Sequence, residues 1–406
     1  MKPPGGRPSR AGPWGANTAQ VTRLIAIVGV QALAISGLSS LVPAYLHRAG
    51  AGDFLIGLAF TAWAITRGAV GLVSGRIYGR FGARRLLSLS LALFAATTLG
   101  YALDHAPEVL VALRLVQGVA AGAFWTALLA TTANAAGPER RLQALTYVNI
   151  AFAGAGLLSN LLAGWLASAI SPGSFFWVEC GILGLVALPL ALGLPPSEGP
   201  RGSARAGRAE AAAAAEPAPP PLGGRQRLQA VMSALAGLPV VITAVGTPVL
   251  LMRGGAGYRL VGVVAAAMVL ANIVAQAPAS RLARRWGEGR VLGALGIATG
   301  ALLLLLPFAH RAWSVAALVI PLSGTLSLMA LTWLSWAQAG VARSQVGPLT
   351  GLLRGVGDLS TVVAYTAFGI IAAHLAPSLW TLAVLEVATG LGALWLAGRA
   401  NATPVL

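Results

Sequence analysis

Twelve long apolar stretches, separated by short breaks of glycine, proline, arginine or polar residues, leave this chain of 406 residues few ways to fold. About 20 mostly apolar residues are needed to cross the hydrocarbon core of a bilayer as a helix. In lipid each backbone N–H and C=O must be satisfied internally, and a helix does that within one segment. In the first half the stretches run Val21–Leu46, Phe54–Gly75, Leu86–Leu103, Pro107–Ala136, Leu142–Ile170 and Phe175–Leu194. In the second they run Leu228–Met252, Tyr258–Leu282, Val291–Phe308, Trp313–Ala339, Gln345–His374 and Leu379–Ala397. The predicted fold is therefore an all-α membrane protein of twelve transmembrane helices.

Composition supports this. The chain is 57% hydrophobic and only 10% charged, with a mean hydropathy of +0.77, against roughly 25% charged in soluble domains. The net charge of +17 would suit nucleic-acid binding if it were spread over a soluble surface. Instead the basic residues gather in alternate short loops, where they orient helices with arginines on the cytoplasmic side. With the N-terminus inside, only Arg48, Arg253, Arg259 and Arg311 fall on the outer side. The expectation is a multi-pass plasma-membrane protein with both termini cytoplasmic, its basic face toward anionic lipid and no nucleic-acid partner. It is expected to be a monomer.

The chain also looks duplicated. The loop GRIYGRFGARR at Gly75–Arg85 has an echo, SRLARRWGEGR, at Ser280–Arg290. Setting Gly82 on Gly287 superposes Gly75 on Ser280, Arg80 on Arg285, Phe81 on Trp286 and Arg85 on Arg290. A second trace aligns Gly154, Gly156 and Ser159 with Gly355, Gly357 and Ser360. Residues 1–20 read as a polar tail, 21–194 and 228–398 as pseudo-symmetric six-helix bundles, and 399–406 as a second tail. Between the bundles, 195–227 is rich in proline, alanine and arginine and reads as a linker, with a marginal short helix at Ala209–Glu216.

Gly75, Arg80, Gly82, Arg84 and Arg85 resemble the loop signature of the major facilitator superfamily of secondary transporters. Arg114–Gly118, RLVQG, followed by Gly122, is similar to that superfamily's fourth-helix pattern, found particularly in proton-coupled efflux members. The departure is Gly79, where the family usually carries an aspartate that helps latch the loop to the eleventh helix. The resemblance implies two bundles rocking about a central solute cavity. It also implies that the fifth helix meets the eighth, and the second the eleventh, between bundles. The implied loop set is Gly75, Arg80, Gly82, Arg84, Arg85, Arg285, Gly287 and Arg290.

Ionisable side chains inside a bilayer are costly unless paired, and mark functional positions by default. Here they are Arg67, Arg114, Glu179, Arg354, Asp358 and Glu386. At ~1.5 Å rise per residue, Arg114 and Glu179 reach similar depths, so they can pair if the fourth and sixth helices pack together, with Glu179 then structural and Arg114 read as functional from its motif. Glu386 with Arg354 reads as a structural pair. Asp358 either switches between Arg354 and Arg67, takes a proton when released, or forms a fixed bridge.

For the cavity, the amides and indoles Gln31, Trp125, Asn149, Asn160, Asn272, Gln276, Trp333, Trp336 and Gln338 would suit a moderately hydrophobic solute. The histidines His47, His105, His310 and His374 all lie at outer helix ends without ligand spacing, so no metal is expected. Cys180 reads as a small apolar residue, and no cofactor is implied. No phosphate loop of the G-x-x-x-x-G-K-S/T kind occurs, which disfavours ATP-driven transport. No nucleophile, base and orienter set appears, so the chain is not read as an enzyme. The functional expectation is proton-coupled export of small amphipathic compounds. Uptake of a small metabolite or organic anion is the alternative, and a receptor or scaffold the reading from another class.

Overall fold

A computed structural model describes residues 17–103, 106–195, 224–338 and 356–402. All regular structure among them is helical. Ten helices are long and apolar enough to cross a membrane. In order these spans are the first, Thr18–Arg48; second, Asp53–Gly71; third, Arg80–Leu103; fourth, Pro107–Ala136; fifth, Gln143–Ala169; and sixth, Gly173–Leu192. They continue with the eighth, Tyr258–Gln276; ninth, Glu288–Phe308; tenth, Ala312–Ala337; and twelfth, Leu375–Gly398. The seventh and eleventh spans, 224–253 and 356–374, are each interrupted and complete the twelve.

The seventh breaks over residues 236–239, where Gly237 and Pro239 stand, and a second proline reshapes it further on. Pro248 has no N–H to donate, and the turn before it widens to a π-helix over Ile242–Gly246. Thr247 Oγ1 donates to the Ile242 carbonyl at 2.8 Å, satisfying an acceptor within the widened turn. Such π turns are frequent at functional sites. The span starts with the helix Gly224–Leu235, four residues ahead of the predicted Leu228. The remaining linker, 196–223, including Ala209–Glu216, lies outside the described residues, as do Arg354 and Gly355.

The duplication read from the loops is visible in the backbone. The glycines at positive φ are Gly50 (83°), Gly82 (77°), Gly255 (85°) and Gly287 (79°). Gly255 stands as far beyond Gly50 as Gly287 beyond Gly82, so each half makes the same two left-handed turns. Only glycine takes such angles without a Cβ clash. The aligned serines behave alike: Ser159 Oγ accepts from the Gly37 N–H of the first span at 2.7 Å, and Ser360 Oγ donates to the Ala234 carbonyl of the seventh.

Apolar packing distinguishes the two ends of the molecule. At the arginine-loop end each half has its own buried cluster. One is built on Leu24, Leu87, Phe94, Phe124 and Leu183, the other on Met232, Leu292, Met329, Trp333 and Leu396. At the opposite end a single cluster runs through both halves, including Leu41, Phe60, Phe176, Val245, Val261, Tyr365 and Phe368. The halves are therefore sealed together at the end away from the arginine loops.

Candidate functional site

The seal is built from close helix crossings. A Cβ at Gly57 of the second span would lie 2.6 Å from the Tyr365 carbonyl of the eleventh. One at Gly262 of the eighth would lie 2.4 Å from the Asn160 carbonyl of the fifth. These are the two interbundle crossings that the resemblance implies, and small residues are what lets such helix pairs approach. Thr61 and Thr366 hydroxyls meet at 3.2 Å across the same end, and the Phe60 and Tyr365 rings pack edge to face at 5.7 Å. Above them Arg253 Nη2 pairs with Asp53 Oδ2 at 2.5 Å, while the Arg48 guanidinium sits 4.3 Å over the Tyr258 ring.

Beneath this seal lies a cavity of about 290 Å³ between the halves. The first, second, fourth and fifth spans contribute Ser39, Ser40, Phe60, Trp63, Arg114 and Asn160. The seventh, eighth, tenth and eleventh contribute Thr243, Thr247, Met268, Asn272, Ser323 and Tyr365 among others. Its volume sits at the lower end of the roughly 300–1,000 Å³ typical of small-molecule sites. Aromatic and aliphatic surface is interleaved with hydroxyls and amides, which suits a small solute with an apolar body. Asn272 and Ser323 are bonded at 2.8 Å, and turning the amide so that its nitrogen faces Ser323 and the Met268 carbonyl satisfies all three groups.

Arg114 is the cationic member of that wall, 1% exposed. Its fourth-span motif has a direct physical reading. Nη1 donates to Gln117 Oε1 at 2.6 Å, one turn away. Gly118 and Gly122 bring the fourth span onto the second, since a Cβ there would fall 2.0 Å from Thr66 Oγ1 and 2.6 Å from the Arg67 carbonyl. Thr66 Oγ1 in turn donates to the Leu115 carbonyl at 3.0 Å. The guanidinium lies 4.7 Å over the Phe60 ring. Nε and Nη2 have no hydrogen-bond partner.

The ion pair that depth allows between Arg114 and Glu179 does not form here. Glu179 Oε1 accepts instead from the Leu38 N–H of the first span at 3.2 Å, and Oε2 has no partner. Equal depth on two helices fixes height but not azimuth, so the side chains can be level and still turn to different neighbours. Glu386 is fully buried with both carboxylate oxygens unpartnered among the described residues. The proposed pair with Arg354 lies outside the described residues.

Arg67 Nη2 and Asp358 Oδ1 do meet, at 3.3 Å, across the halves and near the arginine-loop ends of the described second and eleventh spans. Arg67 also stacks 4.6 Å over Trp63, a wall residue of the cavity. The pair is partly exposed, at 37% and 58% of its side-chain surfaces. It therefore forms a bridge on the arginine-loop side of the cavity.

Of the other residues expected at the cavity, Asn160 and Asn272 line it. Gln31 is buried in the first span with its Oε1 unpartnered. Trp125 packs edge to face on Phe152 at 4.9 Å. Trp333 and Trp336 are buried together, ring centres 5.6 Å apart, in the second half's own apolar cluster. Asn149 is exposed, Gln276 bonds Ser327 at 2.6 Å, and Gln338 closes the tenth helix. Gln31, Trp125, Asn149, Gln276, Trp333 and Trp336 lie away from the cavity lining because helical pattern shows which face is buried, not whether it meets a neighbour helix or a void. The wall residues that went unread are chiefly Ser39, Ser40, Phe60, Trp63, Thr243, Thr247 and Tyr365. For Thr243 and Thr247 the sequence signal is Pro248, five and one residues further on.

The loop set falls as the duplication implies. Gly82 and Gly287 make the left-handed turns. Arg80, Arg85, Arg285 and Arg290 are exposed and Arg84 is half-buried, while Gly75 lies within the helix before the turn.

The chain matches the Major Facilitator Superfamily over residues 24–365 and belongs to that family. It is 34% identical over 137 residues to the 3-(3-hydroxy-phenyl)propionate transporter of Escherichia coli, a match covering 32% of this chain and 33% of that protein. It is 32% identical over 117 residues to an uncharacterized MFS-type transporter of Mycobacterium tuberculosis, covering 28% of this chain and 20% of that one. These aligned stretches thus span a third or less of the curated relatives' lengths. Among solved structures, the nucleoside transporter NupG superposes with a TM-score of 0.71 at 12% identity, over 92% of this chain and 98% of that one. A D-xylose-proton symporter superposes with a TM-score of 0.69 at 18% identity, over 93% and 96%. At these identities the likeness is one of fold. The chain is thus a multi-pass membrane protein of that family.

Proposed function

We propose that this chain is a proton-coupled secondary transporter that moves small amphipathic organic solutes by alternating access. The observation that carries the reading is the cavity between the halves, sealed at one end by paired helix crossings and bridged on its other side by Arg67–Asp358. A mid-depth site between two bundles that rock about it is the arrangement alternating access requires. With the arginine loops cytoplasmic, as their charge favours, the sealed end is the outer one. Asp358 is the proton carrier in this reading, released from Arg67 as the halves move.

Export is the direction that the RLVQG motif supports. Import of a small metabolite or organic anion is the second reading, favoured by the solute named for the Escherichia coli relative. Purified protein in liposomes, with a pH gradient imposed in either sense, tests both. Solute accumulating against the proton flow supports export, and accumulation with it supports import. Absence of flux for a broad compound panel would overturn transport itself.

A further inference from the structure

We infer that the cavity binds the carboxylate of a small aromatic monoanion on Arg114. This deepens the transport reading and rests on it for the route of entry, but not for its direction. The first reason is the charge of the wall. Among the described residues that line the cavity, Arg114 is the one with a formal charge, and no acidic side chain accompanies it. A single cation on a low-dielectric wall attracts an anion and repels a cation, and a second negative charge on the solute would be left unpaired at a desolvation cost.

The second reason is the state of the guanidinium. A buried charge is costly unless it is paired and fully hydrogen-bonded. Nη1 is held by Gln117, whereas Nε and Nη2 make no hydrogen bond of normal geometry, with the Tyr101 ring beside the guanidinium at 6.0 Å. Those two nitrogens form one edge of the planar fork, the edge that takes a carboxylate side-on through two parallel bonds. Glu179, a carboxylate whose charge acts on Arg114, is bonded to the Leu38 N–H instead. Both nitrogens are closed off from solvent here, so the solute engages them by drawing the side chain from its stack on Phe60, a contact 4.7 Å from ring centre.

The third reason is the shape of the remaining wall. Phe60, Trp63, Met268 and Tyr365 supply apolar surface to the wall, with Phe60 against both Arg114 and Tyr365. The Asn160 amide donates to the Gly156 carbonyl at 2.8 Å, while its Oδ1 is buried and unpartnered. That oxygen can accept from a hydroxyl at the far end of the solute. A cavity of about 290 Å³ accommodates one ring with a short acid chain.

The test uses the full chain purified in detergent, with 3-phenylpropionate as probe and 3-phenylpropionamide as its uncharged counterpart. Affinity is read by quenching of tryptophan fluorescence and by thermal shift. The carboxylate should bind at least tenfold more tightly than the amide. Arg114→Gln should remove the preference, and Arg114→Lys should weaken it without abolishing it. Equal binding of the two compounds, no binding of either, or a preference that survives in Arg114→Gln would each overturn the inference. Should Arg114→Gln fail to fold, the comparison on the unaltered protein still decides. Carboxylate binding without flux in liposomes would keep the site and overturn transport. Flux of some other solute without carboxylate binding would do the reverse.

Discussion

Arg48 and Arg253 occupy equivalent places in the two halves, each five residues after a proline, Pro43 and Pro248, and each reaches across to the opposite half. Arg253 pairs with Asp53 at 2.5 Å, and Arg48 stacks over Tyr258 at 4.3 Å. Asp53 and Tyr258 are themselves equivalent in the duplication. One ancestral contact has thus become two, one ionic and one cation–π, on either side of the pseudo-two-fold axis.

The first prediction concerns that double latch. Arg253 is partly exposed, so the ion pair contributes no more than about 1 kcal/mol, and the cation–π contact about 0.5–1 kcal/mol. Replacing both partners, Asp53→Asn with Tyr258→Ala, should lower the closed-to-open ratio at this end by about tenfold, given about 1.4 kcal/mol for each factor of ten. A cysteine at Thr61, in a Cys180→Ser background, should then react correspondingly faster with an impermeant maleimide. Unchanged labelling would assign the seal to the glycine crossings alone.

A second prediction uses Thr61 and Thr366, whose hydroxyls lie 3.2 Å apart across the halves. A disulfide needs Cβ atoms about 3.5–4.5 Å apart, which this spacing allows. In the same background, Thr61→Cys with Thr366→Cys should cross-link on oxidation and stop flux, and reduction should restore it. Flux that persists in the fully cross-linked protein would mean this end does not open during transport.

How much of this was legible follows from what sequence encodes locally. Span positions, the two loops and their left-handed glycines are written in runs of apolar residues and in repeated glycines, and they came through. The crossing partners Gly57 and Gly262 were also legible in principle, since they stand in register in the duplication, but a lone glycine in a helix carries no sign of what it meets. Of the amides and indoles, Asn160 and Asn272 line the cavity. The rest of the wall includes serines, threonines and aromatic rings, with Thr243 and Thr247 at the widened turn Ile242–Gly246. The Arg67–Asp358 contact was readable from charge scarcity alone, whereas the partners of Arg114 and Glu179 depended on helix rotation.

Gly287 supplies the third prediction. At φ 79° and ψ 145° it lies near a region that is essentially closed to side chains, at a cost of about 1–3 kcal/mol. Gly287→Ala should lower thermal stability by about that amount, and Gly82→Ala, at φ 77° and ψ 168°, should match it. Charge is untouched in both, so a loss of the same size at the two sites would isolate backbone conformation as the cause. A neutral result at either would show that its turn relaxes when substituted.

The last prediction separates structure from coupling at Asp358. The bridge to Arg67 spans the halves but is partly exposed, so its net contribution to stability is small, at most about 1 kcal/mol. Asp358→Asn keeps similar volume and a hydrogen-bond acceptor for Arg67 while removing the titratable group. If the carboxylate carries the proton, this variant should lose accumulation driven by a pH gradient and retain solute counterflow, which needs no net proton movement. Its melting temperature should change little. If Asp358 is instead a fixed strut, gradient-driven accumulation and counterflow should fall together. Arg67→Gln combined with Asp358→Asn should then recover both, because no unpaired charge is left at the bridge. Full gradient-driven accumulation in the single variant would place the proton elsewhere, and Glu179, with its unpartnered Oε2 close to Arg114, would be the next carboxylate to replace.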